Sequence, residues 1–188
     1  MDDIAFALAS PSDTLDITSL LELAYRSPET AGRWDSESHL LRGPRTSPEE
    51  IEALLTSKNA RFVLASAPAQ APERIIGCAL IQLHTENSKE HRASFGMFAT
   101  HPQTRNIGLG HKVLQAAERY AQNEWGIVEM TLSVISLRTT LIAWYERRGY
   151  RLTGRRHPFP FSSTTGETRR DFDLVEMTRR LADTVAIQ

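Results

Sequence analysis

The sequence has little of the features that define several classes of protein. Its single cysteine, Cys78, cannot form an internal disulfide, so the sequence does not indicate an oxidising compartment. It has no apolar run long enough to span a membrane, and no internal repeat or low-complexity tract. The formal net charge of -1 gives no electrostatic argument for binding nucleic acid or an anionic membrane. The acidic start, Met1 to Asp3, is unlike the basic start of a secretory signal. We therefore expect a cytoplasmic protein with neither nucleic-acid nor membrane partners.

The length and composition are those of one globular unit. A chain of 188 residues, 40% of them hydrophobic, can bury one well-formed core and is too short for two domains of ordinary size. We expect a single domain over residues 1–188, and a homodimer stays open beside a monomer. Cys78 lies in the apolar run from Ile75 to Leu83, where a buried, unreactive thiol is expected.

The periodicity of the apolar residues predicts both strands and helices. In chain order it gives a strand, two helices, three strands, a helix, a strand, a helix and two strands. The last two strands are predicted over Tyr150–Thr153 and Asp171–Thr178, with a proline- and serine-rich connection between them. This order indicates an α+β chain with a mixed sheet and one strand–helix–strand crossover.

The most informative feature is a glycine-containing turn, Arg105 to Gly110, between a predicted strand and a predicted helix. The stretch Ser94 to Thr100 is typical of a buried strand, and Pro102 ends it because proline cannot donate to a strand ladder. Apolar residues then recur at the steps of a helix: Val113, Leu114, Ala117, Tyr120, Ala121 and Trp125. The helix is predicted to begin near Gly108. Its first backbone N–H groups lack intrahelical partners and favour an anion, so the turn predicts a pyrophosphate site.

Two common phosphate-binding motifs do not fit this turn. A dinucleotide-binding fingerprint needs three glycines after the first strand and an acidic residue about twenty residues later. This turn follows a late strand and lacks the third glycine. A P-loop needs Gly-Lys followed by Ser or Thr, which the sequence lacks.

The turn instead resembles that of the GNAT superfamily of acyl-CoA-dependent N-acetyltransferases. The family signature, Arg/Gln-x-x-Gly-x-Gly/Ala at a strand-to-helix junction, is matched by Arg105, Gly108 and Gly110. The segment Leu141 to Tyr150 is similar to a second family segment, Phe/Leu-Tyr-x-x-x-Gly-Phe/Tyr. The resemblance implies an α+β fold with a mixed, mostly antiparallel central sheet of about seven strands, flanked by about four helices. It also implies a V-shaped splay between two parallel strands.

The resemblance implies acetyl-CoA as a co-substrate bound in this splay, and no metal. Backbone amides of the turn would hold its pyrophosphate, and the main chain of the preceding strand would pair with its pantetheine arm. The residues implied on this donor side are Phe98, Ala99, Thr100, Arg105, Asn106, Ile107, Gly108, Leu109, Gly110 and His111. Asn106 stands where the family commonly has glycine, but asparagine also tolerates a left-handed backbone.

Three further positions follow from the resemblance. Tyr145 matches the family's general acid and would protonate the departing thiolate, since a phenol and the CoA thiol have comparable basicity. The alternative is a helix tyrosine that only packs against the sheet. Arg138, where the family often has asparagine, would contact the CoA arm or phosphates, or else be a solvated residue at a helix start. Ser94 replaces the family's usual glutamate base, and serine, which is no base at neutral pH, could position a relay water.

The sequence offers substitutes for the missing base. These are His84, Glu86, Glu90, His91 and Glu129. Histidine has a suitable pKa, but each of the five, taken singly, is better explained as a surface residue. Direct loss of the ammonium proton to solvent is a further alternative.

The first helix, the loop after it and the last hairpin flank the acetyl group in this fold. The residues expected around the acceptor are Trp34, Asp35, Glu37 and His39 on one side and Phe159, Phe161 and Glu167 on the other. The aromatic ring and carboxylates of the first group would suit a cationic amine. The alternative is an irregular loop capped by its own polar groups.

The implied function is transfer of an acetyl group from acetyl-CoA to a primary amine of a small molecule, by direct attack in a ternary complex. Two alternatives remain. The absent glutamate is compatible with a non-catalytic, regulatory CoA-binding module. A protein or peptide N-acetyltransferase would need an open groove, which the long final hairpin is expected to narrow.

Overall fold

The computed structural model describes residues 4–27, 37–67, 75–84, 91–104, 108–160, 166–167 and 171–181. Eight of the candidate site residues lie outside these ranges: Trp34, Asp35, Glu86, Glu90, Arg105, Asn106, Ile107 and Phe161. Of residues 166–167 only the backbone is described.

The described residues form four α-helices and nine β-strands. The helices are α1 (Thr14–Arg26), α2 (Pro48–Thr56), α3 (Leu109–Trp125) and α4 (Thr139–Glu146). The strands are β1 (Ala5–Leu8), β2 (Leu41–Arg42), β3 (Ala60–Ser66), β4 (Gly77–Leu83), β5 (Arg92–Thr100), β6 (Glu129–Ile135), β7 (Arg151–Pro158), β8 (Gly166–Glu167) and β9 (Asp173–Arg180).

Seven of the strands form one sheet in the order β1-β3-β4-β5-β6-β9-β7. Neighbouring strands are antiparallel except β5 and β6, which are parallel and joined through α3. β2 and β8 form a separate two-stranded ladder. The predicted mixed, mostly antiparallel sheet of about seven strands with about four helices is confirmed.

Helices cover both faces of the sheet. Apolar residues of α1 and α2, such as Ile17 and Ile51, pack on one face against a cluster that includes Phe62 and the buried Cys78. Residues of α3 and α4 pack on the other face around Phe95. Each face therefore has its own core, and the central strands β3, β4 and β5 contribute side chains to both.

The parallel pair β5 and β6 separates part of the way along its length. The ladder joins residues 92–94 to residues 129–131 and ends at the pair Ser94 and Thr131, although both strands continue. On its other edge β5 contains a β-bulge, where Met97 has a left-handed φ of 39°. Because a bulge bends its strand, this one turns the second half of β5 away from β6. The predicted splay lies here.

The sequence prediction for β7 is too short. β7 continues past Thr153 to Pro158, with a register shift against β9 and a positive φ at Gly154. Its residues are mostly exposed because it is an edge strand, so they lack the apolar alternation that marked the other strands.

Candidate active site

A cavity of about 670 Å³ opens where β5 and β6 separate. The strands line it with residues 95–98 and 132–135. Helix α4 and the turn before it add Arg138, Leu141 and Tyr145, and Tyr25 and Arg26 come from the end of α1. The remaining walls are Glu37, residues 44–47, Glu50, Phe159, Pro160 and Leu174. Residues from distant parts of the chain thus meet at the splay.

Tyr145 lies on the wall formed by α4 and is 5% exposed. Its ring makes edge contacts with Phe95, Trp144 and Tyr150, with centroid separations of 6.4, 5.0 and 5.6 Å. Burial raises the pKa of its phenol well above the ordinary value, and the nearby Tyr25 adds to the shift. Among the described residues its hydroxyl has no hydrogen-bond partner. The hydroxyl is therefore protonated at neutral pH, and it is hydrogen-bonded to no other group of the described residues.

The first turn of α3 lies behind Phe98, on the other side of this wall. Gly108 caps the helix with a left-handed φ of 67°, and a Cβ placed there would meet no atom within 4 Å. Gly110 differs, since its Cβ would lie 3.1 Å from the ring of Phe98 and 3.5 Å from that of Trp144. The left-handed backbone thus favours glycine at the first position, and close packing favours it at the second.

The predicted donor-side residues of β5 differ in their surroundings. Phe98 lines the cavity, and its carbonyl oxygen accepts a hydrogen bond of 2.6 Å from the Tyr25 hydroxyl. Ala99 and Thr100 pair with residues of β4 and do not line the cavity. Burial raises the pKa of Tyr25 to about 12, so its phenol remains a donor at neutral pH. Sequence reasoning missed Tyr25, whose one signal is its place in the last turn of α1, before the predicted acceptor loop.

Arg138 and Glu37 are joined in a buried ion-pair bridge. Glu37 Oε1 lies 3.0 Å from Arg138 Nη1, and its Oε2 lies 2.9 Å from Arg26 Nη1. Arg138 is 9% exposed, so the expectation of a solvated arginine at the helix start is wrong. Glu37 lines the cavity, but both of its oxygens are engaged by arginines rather than turned to an incoming cation.

None of the described base candidates lies on the cavity wall. Ser94 is at the end of the parallel pairing, next to the lining residue Phe95. Glu129 forms an ion pair with Arg92, and His84 and His91 are exposed. Glu86 and Glu90 lie outside the described residues.

The far side of the cavity is aromatic. Phe159 lines it and packs edge-on against Phe172, with ring centroids 5.2 Å apart. His39 is exposed and is not part of the lining. Phe161 and the side chain of Glu167 fall outside the described part of the chain.

Neither a metal cluster nor a membrane helix is found in the described ranges. No group of three or more His, Cys, Asp or Glu residues within them is placed to hold a metal ion. No helix there is both long and apolar enough to cross a membrane.

Comparison with solved structures shows the same fold in acetyltransferases. A GNAT-family acetyltransferase from Streptococcus pneumoniae is 20% identical, with a TM-score of 0.65 over 96% of this chain and 100% of that one. The ribosomal-protein-S18-alanine N-acetyltransferase of Escherichia coli is 13% identical, with a TM-score of 0.68 over 99% of each chain. The spermidine/spermine N-acetyltransferase SpeG of Vibrio cholerae is 16% identical, with a TM-score of 0.64 over 94% of this chain and 92% of that one.

A search of curated protein sequences finds no significant match. The family model described as Acetyltransferase (GNAT) family matches residues 21–150, which run from α1 through the cavity-lining strands to the end of the Tyr145 segment. The chain therefore belongs to the GNAT acetyltransferase family.

Proposed function

We propose that the protein transfers an acetyl group from acetyl-CoA to the primary amine of a small molecule. The observation that carries this proposal is the position of Tyr145. Tyr145 lines the cavity at the splay of β5 and β6, and Phe98, which also lines it, lies next to Gly110 in the first turn of α3.

The residues present are suited to acetyl-CoA. The first turn of α3 contains no acidic residue, and the amides of Leu109, Gly110 and His111 are among those that lack partners within a helix. The open space at Gly108 lets an anion approach the backbone closely. Beyond Ser94, the edge of β5 no longer pairs with β6, so its main chain can take an extended arm. We assign the pyrophosphate to the turn and the pantetheine arm to this edge.

The bound thioester supplies an acyl carbon that an amine can attack. In the reaction the amine nitrogen bonds to that carbon, the C–S bond breaks, and the sulfur leaves with the bonding electron pair. Tyr145 gives its proton to that sulfur, and the surplus proton of the nitrogen passes to solvent. Because burial raises the pKa of Tyr145, its phenol is protonated at neutral pH and holds the proton that the thiolate takes up.

The route by which the amine loses its first proton stays a prediction. Ser94 lies beside the cavity and is proposed to position a relay water. We also propose that the acceptor is a small amine, that Phe159 and the ion-paired Glu37 form part of the wall around it, and that the protein is cytoplasmic.

Calorimetric titration with acetyl-CoA tests the donor site, and a matched pair of variants makes it specific. Gly108 and Gly126 both have left-handed backbones, with φ of 67° and 62°, at opposite ends of α3. Alanine at either costs about 1–2 kcal/mol of stability through strain. Gly108→Ala should also weaken acetyl-CoA binding, whereas Gly126→Ala should not. No binding by the unaltered protein, or equal weakening by both variants, would contradict the donor assignment.

A screen of primary amines by CoA thiol release tests catalysis. Thiol release that depends on the amine and is lost in Tyr145→Phe supports the proposed reaction. Acetyl-CoA binding without thiol release from any amine would identify a non-catalytic module instead.

A further inference from the structure

The charges on the cavity wall carry information about the acceptor. Among the described residues, three guanidiniums line the cavity, those of Arg26, Arg45 and Arg138, against the carboxylates of Glu37 and Glu50. These groups are not equally available to a ligand.

Both carboxylate oxygens of Glu37 are paired with arginines. Its two oxygens lie 2.9 and 3.0 Å from Arg26 and Arg138, and all three side chains are at most 11% exposed. A cationic amine could reach this carboxylate only by displacing a buried guanidinium, which would leave that charge without its partner. The bridge therefore makes a poor binding site for a second cation.

Arg45 has no carboxylate partner among the described residues. Its guanidinium carbon lies 5.2 Å from the centre of the Tyr25 ring, a cation–π contact, and the side chain is half-buried. The backbone N–H groups of Arg45 and Thr46 donate to Glu22 Oε1, which attaches this loop to α1. Tyr25 is itself held by its hydrogen bond to Phe98. The Tyr25 ring thus holds the guanidinium of Arg45, and Glu22 holds the backbone of the loop that carries it.

Glu50 does not compensate this charge. It is exposed in the first turn of α2, and its Oε2 accepts a hydrogen bond of 2.7 Å from the Thr46 hydroxyl. No ion pair joins it to Arg45 within the described part of the chain. Arg45 is therefore the lining guanidinium that is paired with no carboxylate of the described residues.

We propose that the acceptor is a small amine that also carries a carboxylate, such as an amino acid, and that Arg45 binds this carboxylate. A planar guanidinium can take a carboxylate through two parallel N–H···O bonds. A polyamine carries cations along its whole length, and among the described lining residues only the exposed Glu50 offers it a carboxylate that no arginine engages. The inference rests on the proposed function, because the amine of the same molecule is the group acetylated.

The test compares matched acceptors by CoA thiol release. Each amino acid of a panel is measured beside its carboxamide and its decarboxylated amine, with diamines included. The variants are Arg45→Gln, Arg45→Lys and the control Arg42→Gln, which changes an exposed arginine outside the cavity lining. Acetyl-CoA affinity and melting temperature are measured for each variant, so that loss of folding is recognised.

We expect the best amino acid to have a kcat/KM at least about tenfold above that of its carboxamide, as for one charge-assisted hydrogen bond. Arg45→Gln should abolish this preference through the KM of the amino acid and leave the carboxamide and acetyl-CoA unaffected. Arg45→Lys should retain part of the preference, and Arg42→Gln all of it.

Equal use of acid and carboxamide, a preference for diamines, or a preference that survives Arg45→Gln would overturn the inference while leaving the acetyltransferase proposal intact. Absence of thiol release from every amine would count against that proposal instead. Calorimetric titration of the acetyl-CoA-loaded protein with an amino acid and its carboxamide tests carboxylate binding without turnover. Tighter binding of the amino acid that depends on Arg45 supports the inference, and equal binding of the two compounds refutes it.

Discussion

The hydroxyl of Tyr145 can be removed with little effect on packing, which makes Tyr145→Phe the sharpest test of the proposed acid. The ring contacts to Phe95, Trp144 and Tyr150 are kept in phenylalanine. The hydroxyl has no partner among the described residues, so its loss leaves no group there without a hydrogen bond. We expect the free energy of unfolding to change by less than about 0.5 kcal/mol, or about 1–2 °C in Tm.

The catalytic effect should be far larger. Loss of a positioned proton donor typically lowers a rate by about 10²–10⁴-fold, and we expect kcat to fall in this range while acetyl-CoA affinity is kept. In the unaltered protein, activity should rise with pH as the amine loses its proton. Because the pKa of Tyr145 is raised above its ordinary value of 10.0, ionisation of the acid should cause no fall below pH 10.

Tyr150→Phe is the matched control. Tyr150 packs against Tyr145, but its hydroxyl donates to Glu118 at 2.9 Å, and Arg179 also donates to that carboxylate. Loss of the Tyr150 hydroxyl should lower the free energy of unfolding by about 1.5 kcal/mol, or the Tm by about 3–6 °C, and should leave kcat unchanged. The opposite pattern, with kcat lost in Tyr150→Phe and kept in Tyr145→Phe, would refute the assignment. An alkaline loss of activity below pH 10 that disappears in Tyr145→Phe would instead refute the raised pKa and leave the acid assignment intact.

Three further predictions concern stability and are measured by equilibrium unfolding in urea. Gly110→Ala should destabilise by about 1–3 kcal/mol, because the added Cβ would lie 3.1 Å from the ring of Phe98, and Phe98→Leu in the same chain should recover part of the loss. Additive effects of the two substitutions would contradict this contact. Burial raises the pKa of the Cys78 thiol from 9.0 to about 12, so above pH 9 the unfolded chain loses a proton that the folded chain keeps. Stability should therefore fall as pH rises through this window, and Cys78→Ala should reduce the slope by about 1.4 kcal/mol per pH unit; equal slopes would show that the thiol is not protected. Glu37→Gln should lower the free energy of unfolding by about 3–5 kcal/mol, because it removes the negative charge that lies between two buried guanidiniums, and a loss below about 1 kcal/mol would show that the bridge is solvated.

The sheet and helices could be predicted because most elements have a local signal. The apolar period of three to four residues located α3, and Ser47 followed by Pro48 and two acidic residues located the start of α2. The full length of β7 could not be predicted, because an exposed edge strand has no buried face to impose alternation on its residues. The short ladder of β2 and β8 was missed for a similar reason, since two-residue strands carry no period.

The two sides of the candidate site also differ in how far the sequence predicts them. The proposed donor side is built from consecutive residues around Gly108, so a local sequence pattern, matched to the family signature, could predict it. The acceptor side depends on contacts between residues far apart in the chain. Arg138 and Glu37 are 101 positions apart, and Tyr25 and Phe98 are 73 apart. No local sequence pattern indicates that these residues are in contact. The sequence therefore predicted a carboxylate at Glu37 that is available to an amine, whereas in the structure it forms ion pairs with two arginines.

Phe98 connects the two sides. Its ring rests against Gly110 at the first turn of α3, and its carbonyl oxygen accepts the hydrogen bond of Tyr25, the residue on which Arg45 stacks. It follows Met97, whose left-handed backbone costs about 1–3 kcal/mol and must be held by its surroundings. The bulge therefore places one residue against both the donor turn and the acceptor wall. Because packed groups of this kind shift together, a change that moves Tyr25 should reach the donor turn through a single residue. The proposed donor and acceptor subsites therefore share one residue of β5, Phe98.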